Sequence, residues 1–267
     1  FYPSFTGGII FSELFKIQSP VFSYGKIRGN WAKVGKDAPT NLFSDNYKTW
    51  TNFPDGGFGV NPTIGVKPAT EYQFRVFATP VGPYFKGGIK PLTVRISDLD
   101  RAAPRGTGHV KAGLNYAMSL YAITDAHEQG YDENVYLDPL NRTCIEETGG
   151  ANILFVSRQG HLVVPASSSI LPSITRRSLV YVAQHYLGMK VDERPVAFDE
   201  VKNFKECALC GTAAVLAPVG EIHTHDGVIA FPSGMEKIGE VSAKLRNTLT
   251  GIQDGEIEAP EGWIDQI

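Results

Sequence analysis

Three observations predict an α/β (α+β) fold for this chain. Short segments rich in β-branched and aromatic residues recur along it, alternating as in Glu71–Thr79 or fully apolar as in Ile153–Val156. Three stretches carry helical periodicity instead: Asn115 to Gln129, Ser173 to about Leu187, and Glu240 to Leu249. Glycine, proline and asparagine mark the places where the period changes. With 267 residues, 42% hydrophobic and 11% aromatic, the chain can bury a sizeable core in one large or two smaller domains.

Residues 1–58 combine aromatics with Gly, Asn, Ser and Pro. Apolar runs such as Gly8-Ile9-Ile10-Phe11 are broken at Tyr24-Gly25, Arg28-Gly29-Asn30 and Pro54-Asp55-Gly56-Gly57, which predicts short strands and loops with Trp31 and Trp50 packed inward. A strand over Glu71–Thr79 is stopped by Pro80, and after a turn-rich link Leu92 to Ile96 forms another. The loop from Arg101 to Gly108 delivers Lys111 to the first helix, whose stripe of Tyr116, Leu120, Ile123 and Ala126 ends at Gly130. Asn134 to Asp138 reads as a buried strand, and Glu146-Glu147-Thr148-Gly149-Gly150-Ala151, wedged ahead of the strand Ile153–Val156, reads either as a solvent-facing turn or as a segment with one acid pointing inward. Gln159-Gly160 is the turn of a hairpin reaching Val164. Ser173 is a candidate N-cap for the second helix and Gly188 its stop. A strand from Lys190 to Arg194 follows, and then one running from Cys207 into the turn Gly211-Thr212-Ala213.

A formal net charge of -3 with no run of like charges gives no electrostatic case for nucleic acid or an anionic membrane surface. No segment approaches the roughly 18 apolar residues of a membrane span, and Phe1-Tyr2-Pro3-Ser4 lacks a signal-peptide layout, so a cytoplasmic protein is expected. Three cysteines, Cys144, Cys207 and Cys210, do not make a disulfide framework. Cys207-x-x-Cys210 has no second ligand pair, and His223-Thr224-His225 alternates like a strand edge, so no metal site is expected.

Three pieces carry chemistry. Lys111 lies among Gly108, Ala112 and Gly113, which leave room for a planar group; a lysine held out of water there would be a competent nucleophile toward a carbonyl. One of the adjacent acids Glu146 and Glu147, if it faces inward, can keep a ring nitrogen protonated. The helix start at Ser173-Ile174-Thr175 and the turn Gly211-Thr212-Ala213 offer backbone N–H groups and hydroxyls to an anion. Taken singly, these read equally well as a loop lysine, a solvated turn and a plain helix cap. Together they describe a site for a phosphate-bearing aldehyde cofactor.

The segments R-A-A-P-x-G-T-G-x-x-K-A-G-x-N-Y-A, E-E-x-G-x-A-N, I-L-P-S-I-T-R, C-G-T-A-A-V and L-T-G-I-Q-x-G-x-I-E-A-P-E-G-W run in this order from Arg101 to Trp263. They resemble the branched-chain amino-acid aminotransferases of the fold-type IV pyridoxal 5'-phosphate (PLP) enzymes, over roughly residues 59–267. The resemblance implies two domains, a reduced small domain over 1–79 and a large PLP-binding domain over 80–267. It further implies that Lys111 links covalently to PLP, that Glu147 pairs the pyridine nitrogen, and that Tyr116 lies near the phenolic oxygen. By the same resemblance Ile174, Thr175 and Thr212 hold the phosphate, and Thr212 with Ala213 takes the substrate carboxylate. A homodimer acting on branched-chain amino acids, with 2-oxoglutarate and glutamate as the second pair, is implied as well.

The chain departs from that family in its first third. No F-E-G-x-K-A-Y-R segment occurs, whose arginine grips the phosphate in the family, and no Y-I-R-P segment; Leu114 stands where the family has a second glycine. Arg28 is an arginine in the same part of the chain, but its spacing does not match that of the missing one. These departures keep three alternatives open: an inactive or truncated homologue, a D-amino-acid aminotransferase, and an aminodeoxychorismate lyase.

Overall fold

The computed structural model describes the backbone of residues 4–10 and 26–32 and the full structure of residues 88–264. The strand expected over Glu71–Thr79 and the link before Gly88 lie outside these residues, as do Trp50 and the side chains of Arg28 and Trp31. The chain divides into two compact units, Phe1–Ala78 and Thr79–Ile267. In the first, β1 (Ser4–Ile10) pairs antiparallel with β2 (Lys26–Ala32), Gly7 opposite Gly29.

The second unit is built on one ten-stranded mixed sheet. Its strands are β3 (Leu92–Ile96), β4 (Glu133–Leu137), β5 (Cys144–Thr148), β6 (Asn152–Val156), β7 (Leu162–Pro165), β8 (Val191–Arg194), β9 (Val196–Ala197), β10 (Glu206–Gly211), β11 (Val215–Thr224) and β12 (Gly227–Ala230). The order β6-β10-β11-β3-β4-β5 returns to β6, because Glu147 of β5 also pairs with Asn152 of β6. These strands therefore close into a barrel, which removes their edges. β7 and β8 extend the sheet beyond β6, and β9 extends it beyond β5.

Side-chain alternation explains how both faces are filled. Ile153, Phe155, Val163, Cys207, Leu209 and Ala217 pack in one apolar cluster with Val94, Val135 and Ile222. The intervening Leu154, Leu162, Val164, Ala208, Cys210 and Leu216 pack in another, against two helices. Those helices are α2 (Ile174–His185), through Leu179, Val182 and Ala183, and α3 (Glu240–Gln253), through Leu245, Leu249 and Ile252. Cys207 and Cys210 thus point to opposite faces, and both are buried free thiols.

The sequence placed most elements within a few residues. α1 (Gly113–Glu128) begins two residues earlier than its pattern, and α2 stops before Leu187, whose N–H joins that of Tyr186 on the carbonyl of Val182. Ser173 caps α2, its hydroxyl accepting from Arg176 N at 3.3 Å. Of the two readings of Glu146 and Glu147, the solvent-facing turn is excluded: both belong to strand β5 and both are buried. The turn is confined to the Gly149-Gly150 stretch after them. Among the described residues, no helix is long and apolar enough to cross a membrane.

Candidate active site

The site is a cavity of about 280 Å³ where loops from several parts of the unit converge. Lys111, Tyr116, Glu147, Ile174 and Thr212 all line it, although up to 101 residues separate them in sequence. Thr175, in the first turn of α2, is not among the lining residues; Ala213 lines an adjoining cavity of about 290 Å³ on the other side of the Gly211-Thr212 turn.

Lys111 sits in an irregular loop ahead of α1. Small neighbours do not cover it, so it stands exposed at the rim instead of being held out of water; its Nζ lies 2.9 Å from Tyr116 Oη. Tyr116 is on the first turns of α1, and the ammonium also lies 5.3 Å from the centre of its ring. The loop is fixed from behind. Gly108 is required there, since a Cβ would collide with the Ser169 backbone and hydroxyl and crowd the Arg101 guanidinium.

Glu147 occupies the wall as a buried acid with three donors around it. Its Oε1 accepts from Leu171 N at 2.9 Å and faces Arg101 Nη2 at 2.9 Å, and its Oε2 accepts from the Asn152 amide. Burial pushes its carboxyl up to about 7, against the opposing pull of Arg101 and the Leu171 N–H. Glu146, its neighbour on β5, points the other way. It accepts from Ser167 Oγ at 2.7 Å, and burial raises its pKa too. Two buried carboxylates therefore share the field of one buried guanidinium.

Arg101 is the residue that motif reading missed. It is only 6% exposed, and besides Glu147 its Nη2 reaches Ser169 O at 2.6 Å and Gly108 O at 3.1 Å, joining the acid to the lysine loop. The signal was present, since the arginine opens the R-A-A-P-x-G-T-G segment, but nothing local says that it turns inward. Asn152 was missed as well. Its amide bridges Glu147 Oε2 and Leu171 O, while its Oδ1 is buried without a partner, as is Arg101 Nε. Cys210 also lines the cavity; burial pushes its thiol up to about 12, so it is no nucleophile.

Opposite the lysine, Ser173 and Ile174 bring the N-terminus of α2 to the cavity, where first-turn N–H groups favour an anion. The turn after β10 supplies Gly211 and Thr212. Val215 closes this turn with φ of 60°, a conformation unfavourable to a β-branched residue. The strand pairing of Gly211 with Val215 holds it there. An amine, an inward acid and two anion-favouring backbone sites thus meet around one space.

Comparison with known proteins agrees with this arrangement. The family model described as amino-transferase class IV matches residues 33–222. The chain is 47% identical over 211 residues to a branched-chain-amino-acid aminotransferase of Helicobacter pylori, covering 78% of this chain and 61% of that protein. Against the Haemophilus influenzae protein of the same name it is 48% identical over 214 residues, covering 78% and 62%. The Escherichia coli branched-chain amino acid aminotransferase has a similar structure, with TM-score 0.62 and 32% identity over 70% of this chain and 60% of that one. The chain thus spans about three fifths of the length of the curated relatives it matches. Motifs, barrel and matched relatives agree, and the chain belongs to the class IV aminotransferases.

Proposed function

We propose that this protein binds PLP and transaminates branched-chain L-amino acids, with 2-oxoglutarate and glutamate as the second substrate pair. The observation that carries the reading is the placement of one amine, Lys111, and one buried carboxyl, Glu147, on the walls of a single cavity beside a helix N-terminus. The donor set fits the cofactor. Glu147 is surrounded by N–H donors, so an additional partner on its cavity side must itself bring a proton, as a protonated ring nitrogen does. The relatives point the same way, since a related structure from Thermobaculum terrenum, with TM-score 0.57 and 30% identity, is a branched-chain amino acid aminotransferase in PLP form.

When bound, PLP supplies the electron sink for loss of the α-proton. The residues do the rest. Glu147 would keep the ring nitrogen protonated, and Arg101, Asn152 and the Leu171 N–H hold Glu147 in place to do so. Lys111 Nζ would move the proton between the substrate Cα and the cofactor C4′, and the Tyr116 hydroxyl, 2.9 Å from the amine, would orient it. The N-terminus of α2, which reaches the cavity at Ile174 with Thr175 in its first turn behind, would hold the phosphate together with Thr212. The Thr212-Ala213 turn separates two cavities and offers its N–H groups to the substrate carboxylate.

A cytoplasmic homodimer belongs to the same reading. Leu114, Leu120 and Tyr121 on α1 are 56%, 62% and 75% exposed, more apolar surface than a helix beside an active site leaves in water without a partner. Light scattering is expected to return twice the chain mass.

The deciding experiment is an absorbance scan with PLP, repeated on Lys111→Ala and after adding leucine. A visible band that needs Lys111 and that leucine converts supports the function. No lysine-dependent band overturns it in favour of an inactive homologue.

A further inference from the structure

The loop that carries Lys111 has no regular structure of its own, yet it is held at closely spaced points by one side chain. Asn115, in the first turn of α1, is 3% exposed. Its Nδ2 donates to Thr107 O and to Val110 O, each at 2.8 Å, and its Oδ1 accepts from Thr107 Oγ1 at 3.3 Å. Both amide hydrogens are thereby used within the loop. The loop's backbone follows suit: Val110 N bonds Thr107 O and Ala112 N bonds Val110 O, each at 2.8 Å, while Asn115 N closes on Ala112 O at 3.1 Å. Val110 and Ala112 are the two neighbours of Lys111, so the position and direction of its Cα–Cβ bond follow from what Asn115 grips.

Resting on the function proposed above, we infer that Asn115 is a positioning residue, whose side-chain amide clamps Thr107 and Val110 and so aims Lys111 Nζ into the cavity. It acts through the lysine and leaves the cofactor's other contacts to other residues. Aspartate is no substitute, because an acceptor-only carboxylate would face two carbonyl oxygens. Alanine leaves both carbonyls without their side-chain donor and frees the loop to carry the amine away from Tyr116.

A thermodynamic cycle separates this role from general support of the cavity. PLP affinity is measured by fluorescence quenching for the wild type, Asn115→Ala, Lys111→Ala and the double variant, and borohydride-reduced samples are mapped by mass spectrometry. Asn115→Ala is expected to lower PLP affinity about tenfold when Lys111 is present, as two lost hydrogen bonds imply. It should lower the fraction of Lys111 carrying the reduced adduct in parallel, and change affinity less than about twofold in the Lys111→Ala background. An equal loss in both backgrounds makes Asn115 a structural residue only and overturns the inference. Unchanged labelling of Lys111 overturns it as well.

Wild type that shows no adduct at Lys111 removes the PLP assignment, and the inference with it. Wild type labelled normally alongside a fully labelled Asn115→Ala removes the inference alone. If Asn115→Ala does not fold by circular dichroism, Thr107→Val goes through the same cycle. It deletes the hydroxyl that orients the amide and should lower labelling about threefold; no loss there overturns the proposal.

Discussion

Arg101 Nη2 stands 2.9 Å from Glu147 Oε1, and both side chains are almost completely buried, at 6% and 4% exposed. The same nitrogen also holds the carbonyls of Gly108 and Ser169. An ion pair this deep is costly to break from one side, because the remaining charge is left without water or partner. Arg101→Met should destabilise the protein by about 3 kcal/mol and raise the pKa of Glu147 further. Arg101→Lys should recover only part of this, since an ammonium cannot reproduce the planar guanidinium. Denaturant titration of the three proteins at pH 7 checks the ranking.

Glu147 gives the free protein a particular pH dependence. Its carboxyl moves from the ordinary 4.5 up to about 7 on folding, chiefly because it is desolvated. Between those values the folded state binds more protons than the unfolded one. The associated stability is therefore complete below about pH 4.5 and is lost as pH rises through about 7, a change of about 3 kcal/mol. Relative to Glu147→Gln, which cannot titrate there, the wild type should lose stability across that window. With PLP bound, a protonated ring nitrogen favours the carboxylate and the difference should shrink. Thermal melts of both proteins from pH 4.5 to 8, with and without PLP, measure it.

The site was legible in sequence where chemistry and spacing coincide, and illegible where burial depends on distant partners. Lys111, with small residues on both sides and a helix behind it, announced itself, and so did the Ser173 cap. The two glutamates left two readings open, because consecutive acids before Thr-Gly-Gly look like a solvated turn unless one of them faces inward. They are buried because Arg101, Ser167, Asn152 and Leu171 bring donors to them from four separate stretches. Arg101 was quoted within a motif but given no task for the same reason, since its partners lie 7, 46 and 68 residues away. Strands buried on both faces, such as Ile153–Val156, were legible as short, fully apolar runs bounded by turn residues. Closure of the barrel through Glu147 and Asn152 left no local trace.

Two glycines near the lysine should respond in opposite ways to the same substitution. Gly108→Ala pushes a methyl group into Ser169 and against Arg101, both parts of the buried network. It should cost about 3 kcal/mol by overpacking, and PLP retention should fall with it. Gly113→Ala, at the first residue of α1, meets nothing within 4 Å. It should stabilise the protein by about 0.5 to 1 kcal/mol by restricting the unfolded chain and favouring the helix. Melting temperatures for the two variants decide the matter, and equal destabilisation by both would rule out the steric account.

Far from the cavity, Glu206 and Gly239 form a device that should govern stability alone. Glu206 is only 2% exposed on β10, and its carboxylate accepts from Val241 N at 3.1 Å and Ser242 N at 2.8 Å, the free donors at the start of α3. Gly239 is the N-cap, and a Cβ there would run into that carboxylate, so the acid and the glycine require each other. Glu206→Ala leaves two buried N–H groups without an acceptor and should cost about 2 to 4 kcal/mol. Gly239→Ala should cost a comparable amount, because it displaces the same carboxylate. Since both act through one contact, the double variant Glu206→Ala, Gly239→Ala should be less destabilised than the sum of the singles. Denaturant titration of the four proteins tests the coupling. Strict additivity would mean that the glycine serves the backbone of α3 and makes no room for the acid.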